Sequence, residues 1–496
     1  MGKIIRESFK TLTITYVGLA VGYVNALWLY PLILTESEIG LLRLLINVSF
    51  LFAVFASLGS INIPAKYFPY FKDKAKQHNG FLFFLIIFSL IGFALFPVLY
   101  VEFKDVVFNI YSRNAHLLVE YFYYFLPFTL IILFLNLFRS YLVIQEKPFF
   151  PNLVNELMVR AFIAVGLILY FFKLFRFNGF IDFVLVTYAL SLIVLLFYTR
   201  SQGVLFLKPN FSVFRSKYLK DLMVFGGFAL LGNASNMMIM NIDGLMLSAY
   251  KGLGQTGIYT IAFFIATVIE IPKRSLSQSV MPSVSEGNKN NDTRLLDNLY
   301  KKSAVNQLII GALIFIGIWV SIDNVFYLMP HSSIYIQGKW VVFYVGLGKL
   351  FDMATGINGE ILGTSQYYKY DLVFLVGLGL LAIVTNMIFI PLYGMTGAAL
   401  ASAISVFIFN SARFSFILAK MKIQPFTRNT VKVLVICGIT IFINYILPEV
   451  HIIILDVIVR SLVIASVFGI LIVLSKSSED INNMLLKIVK AIKEKM

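Results

Sequence analysis

Charge is scarce in this chain. Of its 496 residues only 13% are Asp, Glu, Lys or Arg, while 59% are hydrophobic. A soluble globular chain carries about a quarter charged residues, so a water-soluble fold of this size is excluded and an integral membrane protein is implied. A single cysteine, Cys437, excludes a disulfide framework and a Cys-ligated metal centre. The four histidines, His78, His116, His331 and His451, fall on different loops or span ends with no carboxylate pattern around them. H-E-x-x-H, D-x-D and G-x-S-x-G are all missing, so the residues offer no catalytic constellation, no metal site and no cofactor. Gly252, Gly254 and Gly257 do spell G-x-G-x-x-G, but in a turn between two long apolar segments and not after a strand. Dinucleotide binding does not fit that setting. A cleavable leader is missing too. Lys3, Arg6 and Lys10 precede an apolar run without a small-residue cleavage site, which reads as a retained first span.

What is present is a series of apolar segments of spanning length. They lie at roughly 11–34, 40–63, 80–100, 117–138, 150–172 and 180–199, then at 221–248, 256–280, 303–322, 338–362, 371–390 and 396–418. Two more follow at roughly 430–447 and 452–474. The implied fold class is an all-α polytopic membrane protein with about fourteen transmembrane helices, arranged as six, six and two. The corresponding divisions are 1–215, 216–425, 426–476 and a tail over 477–496.

Four matches in order argue that the second six repeat the first. Gly40 in SEIGLLRLL matches Gly257 in QTGIYTIAF, 217 residues on, and Pro64 matches Pro282, 218 on. QEKPFFPNLV, ending at Val154, matches SQYYKYDLV, ending at Val373, 219 on, and Gly179 matches Gly397, 218 on. An even number of spans per repeat gives both halves one orientation, with an expected axis along the membrane normal and an expected cavity between them.

The net charge of +16 then has to be placed. Of 41 Lys and Arg, 31 fall on alternate loops facing one side, six face the other, and four lie inside spans: Arg43, Arg160, Lys349 and Arg460. That bias puts both termini in the cytoplasm and accounts for the basic charge as topology, not nucleic-acid binding. The longest loop is expected to be the polar stretch from Pro272 to Lys302. In the tail, Ile481, Met484, Leu485, Ile488, Val489 and Ile492 share one helical face, with Ser477 and Asp480 as its N-terminal cap. Lysines on the other face suit a helix lying along the cytoplasmic membrane surface.

Charges inside a membrane are costly and need a reason. Glu156 and Arg160, and Asp456 and Arg460, are spaced i,i+4, while Lys349 and Asp352 are spaced i,i+3, so each pair can neutralise itself locally. Glu270 has Lys273 and Arg274 within one turn. Arg43, Asp243 and Glu360 have no partner on their own helix, and Asn47 follows Arg43 one turn along. In the seventh span Gly226, Ala229, Asn233, Asn236 and Asp243 fall within an arc of roughly 100°. Such a stripe either packs closely on a neighbouring helix or lines a cavity. The tenth span is interrupted by Gly346, Gly348, Gly356, Gly359 and Gly363, with Asn358 and Glu360 among them, as in the loosened helices of transporter sites.

Several stretches carry a family resemblance. They are Asn25 in the first span with the following ESEIGLLRLL, FGGFALLGNASNMMIMNIDGLMLSAYKGLGQTGIYTIA in the seventh, and PLYGMTGAALASAIS at the twelfth. With the six-six-two plan, the chain resembles the polysaccharide and O-antigen repeat-unit flippases of the multidrug/oligosaccharidyl-lipid/polysaccharide (MOP) exporter superfamily, whose fold is MATE-like. The resemblance implies a flippase, not an enzyme. It would move a polyprenyl-diphosphate-linked oligosaccharide between leaflets of the bacterial inner membrane by alternating access, for lipopolysaccharide or related polysaccharide biosynthesis. Membrane lipids, a polysaccharide polymerase and glycosyltransferases are the implied partners. The implied substrate-binding residues are Arg43, Asn47, Asn25, Asn233, Asn236, Asp243, Arg274, Lys349 and Glu360. Arg43 either grips the diphosphate, with Arg274 serving its uptake at the cytoplasmic end, or it snorkels to headgroups or pairs with an acid from another span. The lipid II flippases of this superfamily carry several cations in their early spans, where this chain has only Arg43. Two other functions stay open: a cation-coupled small-molecule exporter with Asp243 and Glu360 as ion ligands, and a membrane ligase or polymerase acting on polyprenyl-linked glycan.

Overall fold

The computed structural model describes residues 2–73, 75–111, 114–214, 216–448 and 451–483, and among these no β-strand occurs. Lys74, Arg113 and Arg215 of the loop charges, and Met484, Leu485, Ile488, Val489 and Ile492 of the tail helix, lie outside the described residues.

The helices long and apolar enough to span are α1 Thr13–Ile33, α2 Glu36–Ala56, α3 Gln77–Pro97, α4 Phe122–Ile144, α5 Phe149–Phe171 and α6 Phe177–Ser201. After them come α7 Leu219–Lys251, α8 Leu253–Lys289, α9 Thr293–Val320 and α10, whose two pieces Ser332–Ala354 and Asn358–Thr364 are bent by 53°. The 54-residue run Tyr368–Met421 is not one helix, because Gly394 within it has φ 58° and ψ −133°. Thr385 Oγ1 sits 3.0 Å from Ser405 Oγ, whereas twenty residues of straight helix would part them by about 30 Å. The run is a hairpin, and its halves on either side of Gly394 are α11 and α12. With α13 Arg428–Ile446 and α14 Ile453–Leu474, the described residues contain thirteen helices or bent pairs long and apolar enough to span, or fourteen segments once the hairpin is divided at Gly394.

By contact the chain groups into Met1–Thr260 and Ile261–Met496. In the first unit α2 packs against α3, α4 and α7. It starts at Glu36, a few residues before the expected apolar segment. Glu38 N donates to Thr35 Oγ1 and Thr35 N to Glu38 Oε2, a complete capping box. Its face of Leu41, Leu44, Leu45 and Val48 is buried. Glycine sets the closest approaches: a Cβ on Gly40 would stand 2.3 Å from Leu253 O, and one on Gly257 only 1.9 Å from Glu36 O. Small residues let membrane helices touch backbone to backbone, where packing and not the hydrophobic effect drives association. The glycines of G-x-G-x-x-G are therefore accounted for by the fold, with Gly252 at φ 88° making the turn.

In the second unit α10 packs on the α11–α12 hairpin and on α9, and α9 packs on α13. Ile269, Leu308, Phe315, Met353, Val433 and Phe468 are buried together there. Two expectations need correction. The polar stretch after Pro272 is not a long loop: α8 continues to Lys289 and α9 begins at Thr293. Pro272 is tolerated at the start of a helical turn, and Val284 on the extended helix is buried against Leu296, Ile361 and Leu362. The tail cap is Ser478, not Ser477: its Oγ accepts from Ile481 N at 3.2 Å and donates to Asn306 Oδ1 at 2.7 Å. Asp480 accepts from Asn306 Nδ2, so the start of the tail is held on α9.

Candidate functional site

Polar groups in the first unit gather where its helices are irregular. α1 widens into a π-turn at Asn25–Leu29 and α5 into another at Leu153–Met158. Such bulges expose backbone carbonyls that need a donor. Asn25 Nδ2 supplies one, donating to Arg160 O at 2.8 Å. Gly18 seats on the Glu156 backbone and Gly22 on the Arg160 side chain, where a Cβ would come to 2.4 and 3.2 Å. Arg160 Nη2 and Glu156 Oε2 pair at 2.9 Å, as their spacing predicts.

Arg43, half-buried on α2, has Tyr30, Tyr188 and Tyr259 close enough to act on its charge. Tyr30 and Tyr188 also lie within reach of Arg160. Tyr259 donates its hydroxyl to Asp243 Oδ2 at 2.7 Å, so Arg43 and Asp243 share one phenol as a neighbour. The helices carrying them are in contact: a Cβ on Gly244 would stand 3.8 Å from Leu44 Cδ2. Asn47 is half-buried one turn beyond Arg43.

The stripe on α7 divides. Asn233 and Asn236 are exposed, while Asp243 at its far end is only 5% exposed, beneath Tyr259. On the opposite face Val224, Phe228 and Leu231 are exposed as well. The helix thus shows one open apolar face and one open polar face. Close packing explains the stripe at Gly226 and Asp243, not at the two asparagines.

In the second unit the partners differ from those that spacing suggests. Lys349 does not pair with Asp352. It forms an ion pair with Glu270 of α8, and Asp352 Oδ2 pairs with Lys273 Nζ at 2.5 Å. Arg274 Nη2 meets Glu270 Oε1 at 3.1 Å. Both helices are interrupted at this point. α8 tightens to a 3₁₀ turn at Val268–Glu270 before Pro272, and α10 breaks after Ala354, with Gly356 at φ 63°. The break frees backbone carbonyls, and Asp352 O accepts both Lys273 Nζ and Thr355 Oγ1.

Asn410 of α12 completes the junction. Its Nδ2 donates to Asp352 Oδ1 at 3.1 Å, and its Oδ1 accepts from Thr355 Oγ1 at 3.2 Å and Asn358 Nδ2 at 2.8 Å. Arg413 pairs with Asp371 at 2.5 Å and stacks over Phe409. Glu360 is half-buried and lies near enough to Asp371 to act on its charge. Asp456 and Arg460 pair at 2.7 Å, with Asn324 and Asn444 adding hydrogen bonds, in a structural arrangement on α14.

Of the nine residues singled out by sequence, Asp243 is bonded to Tyr259, which also acts on the Arg43 charge, and Arg274 and Lys349 meet at Glu270. Asn25 belongs to the α1–α5 contact, while Asn47, Asn233, Asn236 and Glu360 have no shared centre within their units. Sequence reasoning missed Tyr30, Tyr188, Tyr259 and Asn410. Asn410 carried a usable signal as an amide within the apolar run FIFNSARF. Among the described residues no three His, Cys, Asp or Glu gather as a metal site.

A family of polysaccharide biosynthesis proteins matches the chain over residues 4–288. No curated protein matches it. Among solved structures, the lipid II flippase MurJ in an inward closed conformation is similar with a TM-score of 0.67 at 18% identity, covering 94% of this chain and 98% of that one. An inward-facing multidrug resistance MATE family transporter of the MOP superfamily has a TM-score of 0.64 at 14% identity, covering 84% and 98%. A MOP superfamily transporter from Pyrococcus furiosus has a TM-score of 0.55 at 13% identity, covering 84% and 95%. At these identities the likeness is one of fold, and the fold is that of flippases and transporters. The chain is a multi-pass membrane protein that belongs to the polysaccharide biosynthesis protein family.

Proposed function

We propose that the protein is a flippase that carries a polyprenyl-diphosphate-linked oligosaccharide across a bacterial inner membrane, by alternating access, for lipopolysaccharide or O-antigen biosynthesis. Both termini face the cytoplasm in this reading. Glycosyltransferases supply the loaded lipid and a polysaccharide polymerase consumes it. The observation that carries the reading is Arg43, a half-buried guanidinium in a spanning helix whose charge is influenced by Tyr30, Tyr188 and Tyr259.

The physical problem is the diphosphate. Moving an isolated ion from water into hydrocarbon costs on the order of tens of kcal/mol before relaxation, so its charge must be met by fixed donors on the way. A guanidinium stays charged in any environment and can hold two phosphate oxygens at once. Phenol hydroxyls beside it can donate further bonds. In the second unit Arg274 and Lys349 are cations that can themselves receive an anion, and in the first unit the exposed amides Asn233 and Asn236 suit sugar hydroxyls.

The test is Arg43→Ala in a strain whose surface polysaccharide depends on this protein. The expected result is loss of the polysaccharide at normal protein abundance, partial activity for Arg43→Lys, and lipid-linked intermediates trapped on the inner leaflet. Normal polysaccharide from Arg43→Ala overturns the reading.

A further inference from the structure

The ion pairs joining α8 and α10 are unequal in what holds them. Asp352 is fixed by Lys273 and Asn410, and its own carbonyl closes the helix break. Glu270 is met by two cations, Lys349 and Arg274. The group holds three cations and two carboxylates, which leaves one positive charge in surplus. That surplus is at the open end, because the Arg274 side chain is 64% exposed while that of Glu270 is 16% exposed. A carboxylate held by two cations, one of them reaching outward, has the charge pattern of a bound phosphate. The Asp352 half can keep the two broken helices joined while the Glu270 half lets go.

We propose that Glu270 is an internal stand-in for a phosphate group: an incoming phosphate takes Lys349 and Arg274 from it, and on release Glu270 takes them back. The assignment of a diphosphate as that anion rests on the flippase reading above. The exchange makes Glu270 a specificity residue. A neutral ligand cannot displace it, and an anion bound to Lys349 and Arg274 always has a competitor a bond length away. Without Glu270 the anion binds more tightly and leaves more slowly.

The experiment uses the full-length protein in phosphatidylcholine nanodiscs, titrated with inorganic pyrophosphate and read by calorimetry. Glu270→Gln keeps the side-chain shape and removes the competing charge, and it is expected to tighten pyrophosphate binding about tenfold. Adding Lys349→Gln should cancel that gain. Equal binding by the wild type and a folded Glu270→Gln overturns the exchange. If Glu270→Gln does not fold, Arg274→Gln at its exposed position decides: several-fold weaker binding supports the exchange, and unchanged binding overturns it.

A repeat with phosphatidylglycerol in the nanodisc separates two sources of phosphate. If the gain persists, the site prefers a diphosphate; if it vanishes, a lipid headgroup phosphate fills the site and the diphosphate assignment fails. The two proposals fail separately. Loss of polysaccharide in Arg43→Ala without any Glu270 effect leaves the flippase reading and removes the exchange, and the converse pair of results does the reverse.

Discussion

Replacing Gly257 by alanine should separate α2 from the first turns of α8. In an open helix the change is favourable, since alanine is better than glycine by about 0.5–1 kcal/mol. At Gly257 the new methyl would sit 1.9 Å from Glu36 O and 2.7 Å from Glu36 C, about half the distance of an ordinary contact. The obstacle is backbone in the first turn of a capped helix, so no side chain can swing aside. The helices must part by more than about 1 Å, and Gly40, whose Cβ would stand 2.3 Å from Leu253 O, blocks a sliding escape. Overpacking of this kind costs about 1–3 kcal/mol, which exceeds the propensity gain and leaves a net loss of about 1 kcal/mol. Gly227 and Gly232 on α7 are the controls, because a Cβ there meets nothing within 4 Å. Stability against denaturing detergent and membrane abundance should fall for Gly257→Ala and Gly40→Ala, and hold or rise for Gly227→Ala and Gly232→Ala. Wild-type stability of Gly257→Ala, or an equal loss in Gly232→Ala, would refute the close-approach reasoning.

Topology is testable by single cysteines placed in a Cys437→Ser background. A cysteine at Lys217 should react from the cytoplasmic side, and cysteines at Lys104 and Lys251 from the outside; Lys217 and Lys251 on one side would break the charge-bias topology. Asp243→Asn retains an oxygen for the Tyr259 hydroxyl, so insertion and abundance should hold while polysaccharide export falls. Wild-type export by this variant removes Asp243 from the site.

The spans were legible because each is a local property of twenty or so residues, whereas the start of α2 was placed a few residues late, since the Thr35–Glu38 cap lies in polar sequence before the apolar run. The break in α10 was legible as a region, since five glycines announce it, although only Gly356 takes the positive φ. The partners of the charges were not legible. Lys349 has an acid three residues away, and nothing on its own helix reveals that Glu270 of α8 lies nearer. That depends on which helices touch and at what height, and helical periodicity encodes neither. The extension of α8 was hidden for a related reason. SEGNK reads as loop by composition, yet Val284 among these polar residues finds an apolar pocket and keeps the helix going.

The repeat expected from the sequence matches glycines across the two halves but not charges. Gly40 and Gly257 are matched in the expected repeat, and each makes room for the other's helix, the Gly40 Cβ position lying 3.2 Å from Gly257 N. A duplicated scaffold must keep such positions, because backbone contact tolerates no side chain. Charge has followed another course. Counting 217 residues on from Arg43 gives Thr260, whose hydroxyl bonds back to Thr256 O within its own helix. Counting 218 residues back from Glu270 and Lys349 gives Phe52 and Ile131, both apolar. By that count neither Arg43 nor the Glu270–Lys349 pair has a charge at the matched position. Charges inside spanning helices are costly, and under the proposed flippase function a translocated anion is the reason to keep them.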